Sequence, residues 1–121
     1  MFPPVFSTAA ASPAVTALLG TNPTRLYLFG EANQNSTKPY AIWQTVSGSP
    51  ESYLANTPDI DHWVTQIDVY ATTASGARGA AEALRDAFEP VAYVTGWRGE
   101  SKNTDTQLYR YSFDVEWWKN Q

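Results

Sequence analysis

Cysteine is absent from the 121 residues, and histidine occurs once. Without cysteine the chain has no disulfide, no thiolate nucleophile and no cysteine-ligated metal. Basic residues are scarce as well. Eight Lys plus Arg, scattered along the chain, stand against twelve Asp plus Glu, for a net charge of −4 and a pI near 4.7. A protein that grips nucleic acid does so by releasing counterions under a basic patch. With its few cations scattered, this chain is not expected to bind DNA tightly, although an acidic protein can sit beside DNA and repel it. No apolar run reaches membrane-spanning length, and no basic segment followed by a long apolar stretch opens the chain. The expectation is a soluble protein, intracellular where it is made, with no membrane partner.

Motifs of catalysis and phosphate binding are missing too. There is no Gly-x-Ser-x-Gly elbow, and Ser47-Gly48-Ser49-Pro50 reads as a turn. Gly76-Ala-Arg-Gly79 opens a helix after a strand, but it lacks both the dinucleotide and the Walker spacing. Its small residues suit close helix–sheet packing instead. The lone His62 sits in Asp59-Ile60-Asp61-His62. These donors are bunched without a distant partner, so a loop-to-strand junction with a capping Asp explains them better than a divalent metal does. Asp114 and Glu116 share a strand face, yet an exposed strand face does not raise a carboxyl pKa as general-acid work requires. No enzyme, no metal and no cofactor is expected.

What the chain does have is 43% apolar residues and 14% aromatics, with five Trp and seven Tyr. That is the composition of a single globular domain, spanning residues 1–121. The aromatics serve either a small sheet core or an interface. The organising stretch is 60–90. Trp63, Thr65, Ile67 and Val69 alternate with Val64, Gln66, Asp68 and Tyr70, the pattern of a half-buried strand. Ala77, Ala80, Ala81, Leu84 and Phe88 then recur at helical spacing. Thr73 or Ser75 can cap that helix, and Pro90 stops it.

Ahead of it, residues 1–19 read as helix in two pieces, the second with Ser12 as N-cap, Pro13 at its first position and Gly20 as C-cap. A short strand is expected at 25–29 and another at 40–46 after Pro39. Loops fill 30–38 and 47–58, part of the second extending the hairpin. Tyr53 and Leu54 are apolar residues stranded in polar sequence there. After the helix, a strand at 91–97, a turn at 99–106 and a strand at 108–118 make a hairpin. In the last strand Tyr109, Tyr111, Phe113, Val115 and Trp117 alternate with Arg110, Ser112, Asp114, Glu116 and Trp118. The fold class is α+β: a mostly antiparallel sheet of about five strands with helices on one face, in the order α-β-β-β-α-β-β. The other face carries Gln66, Asp68, Asp114 and Glu116, and is either wet or turned toward a cavity in an oligomer.

The ordered stretches Ala11-Ser-Pro-Ala-Val-Thr-Ala-Leu-Leu-Gly20, Arg25-Leu-Tyr-Leu-Phe-Gly-Glu-Ala32, Pro39-Tyr-Ala-Ile-Trp-Gln44, Ser47-Gly-Ser-Pro-Glu51, Pro58-Asp-Ile-Asp61, Gln66-Ile-Asp-Val-Tyr-Ala71, Ala80-Ala-Glu-Ala-Leu-Arg-Asp-Ala87 and Tyr109-Arg-Tyr-Ser-Phe-Asp-Val-Glu-Trp117 together resemble the tail completion, or tail terminator, proteins of long-tailed bacteriophages and prophages. The resemblance implies a homohexameric ring in the virion, at the head-proximal end of the tail. It implies that the ring caps the tail tube, ends its polymerisation and meets the head–tail connector, while DNA passes through without tight binding. The nearest alternative is another connector or adaptor of the same particle. Since such a function is carried by surfaces, the candidate contacts with neighbouring subunits or the tube are Glu31, Asn33, Gln34, Tyr53, Leu54, Trp117 and Trp118. Asp68, Asp114 and Glu116 are candidates to face the lumen.

Overall fold

The change of period after Ala71 is where the architecture turns from sheet to helix. The computed structural model describes residues 4–21, 24–31, 37–51 and 60–120, of which 47–51, 60, 61 and 118–120 as backbone. Its elements are α1 (Val5–Ala10), α2 (Pro13–Leu19), β1 (Leu26–Leu28), β2 (Tyr40–Glu51), β3 (Ile60–Ala71), α3 (Ala74–Phe88), β4 (Tyr93–Lys102) and β5 (Tyr109–Asn120). The helix boundaries follow local chemistry. Ser12 Oγ accepts a hydrogen bond from the Val15 N–H at 3.3 Å with Pro13 behind it, and Thr73 Oγ1 accepts from the Gly76 N–H at 2.9 Å. At the far end of α2, Gly20 takes φ 82°, and a side chain there would also collide with the Arg25 guanidinium. That guanidinium donates to Leu18 O at 2.9 Å and to Pro39 O at 3.0 Å, tying α2 to the start of β2.

One five-stranded sheet runs in the order β1-β2-β3-β5-β4. β2, β3, β5 and β4 pair antiparallel, while β1 pairs with β2 in parallel. β3 and β4 therefore run the same way on either side of β5, and α3 makes the crossover between them. All three helices lie on one face. There the α3 stripe Ala77, Ala80, Ala81, Leu84 and Phe88 is buried against Ile67, Val69, Phe113 and Val115, with Val5, Ala9, Val15 and Leu19 of α1 and α2 closing the same core. The α+β class and the element order expected from the sequence are present.

The strands differ from expectation in their extents. β1 is three residues long, not five. β2 continues through 47–51, the part of the second loop stretch that extends the hairpin with β3, so Ser47-Gly48-Ser49-Pro50 is strand and not a turn. β4 begins only at Tyr93, because Phe88 O still accepts from the Val91 and Ala92 N–H groups. It then runs past Gly99, expected to open a turn. Gly99 (φ 124°) instead sits at a β-bulge in β4, and the turn follows, where Asn103 Oδ1 accepts from the Asp105 and Thr106 N–H groups. A glycine inside a strand marks a bulge as readily as an end.

A polar link is buried between β3 and β5. Thr65 is fully buried, and its hydroxyl accepts from the Trp117 indole N–H at 3.0 Å and donates to Val115 O at 3.3 Å. The Trp117 ring meets Phe88 of α3 edge-on, with centroids 5.5 Å apart. Thr65→Val strips the indole N–H of its acceptor and is expected to cost about 1–3 kcal/mol. Urea titration checks this, and adding Trp117→Phe, which removes the orphaned donor, should recover part of the loss if the hydrogen bond is the cause.

Candidate functional site

The face opposite the helices carries a ladder of ion pairs set by the β3–β5 register. Asp68 stands opposite Ser112 and Gln66 opposite Asp114. The Asp68 carboxylate accepts from Arg110 Nη2 at 3.0 Å and from Gln66 Nε2 at 3.1 and 3.2 Å. Asp114 accepts from Arg98 Nε of β4 at 2.6 Å. Glu116 Oε1 lies 3.4 Å from His62 Nε2. Long side chains thus lie along the face, and Ser112 between them is fully buried. Toward β1 the ladder gives way to aromatics. Tyr40 stacks on Tyr70 at 5.3 Å, and Tyr27 meets Tyr40 edge-on at 6.2 Å. Burial first, then the Asp68 carboxylate, pushes the Tyr70 phenol above the usual tyrosine range, and Arg110 pulls it back in part. Burial and the neighbouring tyrosines raise Tyr40 likewise.

Of the residues expected to face a lumen, Asp68 and Asp114 are therefore charges already matched within the subunit, by Arg110 and Arg98. Asp68 is 7% exposed. The acidic surplus lies on the helical side, where Glu82, Asp86 and Glu89 are exposed. Arg78 there is engaged in a bidentate pair with Glu100 at 2.6 and 2.9 Å. That pair spans α3 and β4 beside a polar cleft of 440 Å³ that Arg85, Asp86, Trp97 and Tyr111 also line. Its carboxylates are open to solvent, which is poor ground for acid–base chemistry. No group of three or more metal-ligating side chains occurs among the described residues. Asp59 lies outside them, as do the side chain of Asp61 and any geometry of the two around His62.

Of the expected contact residues, Glu31 is exposed just past β1. Asn33, Gln34, Tyr53 and Leu54 lie outside the described residues. Trp118 pairs with His62 through its backbone, and its side chain is likewise not described. Trp117 is corrected: it is 3% exposed and belongs to the core, because its parity in β5 points it at Phe88 and Thr65. The apolar surface that the sequence reading missed lies at the two sheet edges. Phe6 and Phe29 are exposed at the β1 edge, and Val91, Tyr93 and Trp97 at or near the β4 edge. Alternation alone could not single them out, since it does not say which strands end at an edge.

The hydrogen-bonded Arg78 guanidinium holds the Glu100 carboxyl below its ordinary value of 4.5. A depressed folded-state pKa means the pair's contribution is present above the unfolded value and is lost as pH falls through the folded one. Arg78→Ala is expected to bring the Glu100 titration back up toward 4.5, followed by carboxyl carbon NMR. An unchanged midpoint would deny the pair its role.

The family described as Tail completion protein gp17 matches residues 3–120 of this chain. Among solved structures, a chain described as "Virion of native gene transfer agent (GTA) particle" superposes with a TM-score of 0.68 at 14% identity, over 97% of this chain and 92% of that one. At such identity the likeness shows a shared fold. No curated protein sequence matches significantly. With the family match running through both helical pieces, all five strands and the crossover helix, the chain belongs to the tail completion protein gp17 family and is a structural protein of the phage tail.

Proposed function

We propose that copies of this chain close into a ring at the head-proximal end of the tail, where the ring caps the tube, ends its polymerisation and joins the tail to the head connector while DNA passes through the lumen. The observation that carries this reading is the family match over residues 3–120. The character of the surface supports it. The described residues leave large aromatics exposed at both edges of the sheet. Surfaces of that kind suit a subunit completed by its neighbours.

Either sheet face can line a channel through which DNA slides. The ladder of Asp68–Arg110, Asp114–Arg98 and Glu116–His62 would present near-balanced charge. The helical layer would present the unpaired surplus of Glu82, Asp86 and Glu89, which repels phosphate. Neither gives DNA the clustered cations on which it would rest.

A connector or adaptor of the same particle is the competing reading, and the binding partner separates the two. Purified protein mixed with isolated tail tubes, imaged by electron microscopy, is expected to sit at one tube end and to stop further addition of tube protein. Binding to head portals with bare tube ends would give the connector reading instead.

A further inference from the structure

Two apolar features stand at opposite edges of the sheet. At the β1 edge, β1 stops at Leu28 while β2 runs on to Glu51. This leaves an open groove of 580 Å³ whose lining includes Pro4, Phe6, Leu28, Phe29, Trp43 and Thr45. Phe6 and Phe29 are 43% and 61% exposed there. At the β4 edge, Trp97 projects with 64% of its surface exposed. One feature is a socket without a plug, the other a plug without a socket.

The register puts them in one line. Leu28 pairs with Trp43, Trp43 with Ile67, Ile67 with Phe113, and Phe113 with Trp97. These five residues form a single row across the sheet on its helical side. The middle of the row is core, with Ile67 and Phe113 at 0% and 1% exposure; its β4 end, Trp97, is exposed, and its β1 end, Leu28, is half-buried on the wall of the groove. Strand directions agree with a lateral contact. β1 runs with β2, and three antiparallel pairings separate β2 from β4, so the two edge strands run in opposite directions. A second copy displaced along the row, with its helices on the same side, brings its β1 edge to the first copy's β4 edge. Trp97 then stands level with Leu28 and the groove.

We infer that Trp97 of one copy seats in the Phe6–Phe29–Trp43 groove of the next copy, as the anchor of a head-to-tail seam. The occupant is a second copy because plug and socket share one chain and one row. A two-fold contact, groove on groove, would leave every Trp97 in water, whereas a head-to-tail contact uses both features of every subunit. Main-chain strand addition is not the means. Register shifts at Val94/Gly96 and at Trp97/Gly99 break the outer ladder of β4, and Gly99 is at φ 124°. The seam is made by side chains.

Its size also bears on the occupant. Large aromatics cover about 150–250 Å² each, so the exposed parts of Trp97, Phe6 and Phe29 supply roughly 300 Å² in all, against about 1,600 Å² in a standard stable interface. The seam is thus a buried aromatic anchor that holds a free pair only weakly, at high protein concentration. A closed array, where each copy makes two seams, is the economical way to retain it. That closure rests on the ring reading above; the seam itself does not.

The test replaces Trp97 with the photoreactive aromatic p-benzoylphenylalanine and irradiates mixed isotope-labelled and unlabelled protein from micromolar to millimolar concentration. Expected are mixed-label cross-links from position 97 to peptides containing Phe6, Phe29 or Trp43. Cross-links that map elsewhere, or none at millimolar protein, overturn the seam. Trp97→Asp and Phe29→Asp alter exposed side chains, and circular dichroism checks that both fold. Each is expected to raise the concentration needed for association at least ten-fold. Association unchanged in both overturns the seam. A closed species whose cross-links avoid the groove leaves the ring standing and removes the seam. Groove cross-links without a closed species keep the seam and remove spontaneous ring closure.

Discussion

The seating of α3 on β3 and β5 is the contact on which the rest depends. Three alanines on its inner face, Ala77, Ala80 and Ala81, let the helix lie close to Ile67, Val69 and Phe113, while Leu84 and Phe88 fill the depth beyond. Phe88 meets Trp117, and Trp117 in turn satisfies the buried Thr65 hydroxyl, so helix, central strand and last strand lock at one point. Among the described residues, all of the helix lies in this one layer. Among the described residues, no helix covers the opposite face, and none of the strands pairs with the outer side of β1 or β4.

The uncovered face is managed by charge. Asp68, Asp114 and Glu116 would repel one another across neighbouring rows if they stood alone. Arg110 and Arg98 are interleaved with them, and His62 lies 3.4 Å from Glu116. The β4 edge is managed by irregularity, with two bulges that interrupt its ladder. The β1 edge is managed by brevity, and what is left there is a groove of apolar side chains. The chain is a structural protein of the phage tail, and these margins carry its exposed large aromatics among the described residues.

Much of the fold was legible in the sequence because local chemistry fixes it. Ser12-Pro13 and Thr73 mark helix starts through hydrogen bonds spanning three residues. Alternation in β3 and β5 and the three-and-four spacing in α3 named the core correctly. What was not legible depends on long-range pairing. Asp68 and Arg110 are 42 positions apart and meet only through the β3–β5 register, so the acidic face looked bare when read one strand at a time. Trp97 and Phe29 became notable only once the strand order put β4 and β1 at the edges. Trp117, a candidate contact residue by its sequence, is core, as its parity with Phe113 and Val115 implies.

Taken together, a one-layer core leaves a subunit with an exposed aromatic at one sheet edge and an apolar groove at the other, the pair of features from which the proposed seam between copies is built. Molar mass by light scattering over a concentration series tests this most directly. The account predicts a passage from monomer to one closed species near six subunits, with no two-subunit plateau. A dimer that stays a dimer, or a monomer throughout the series, would contradict it.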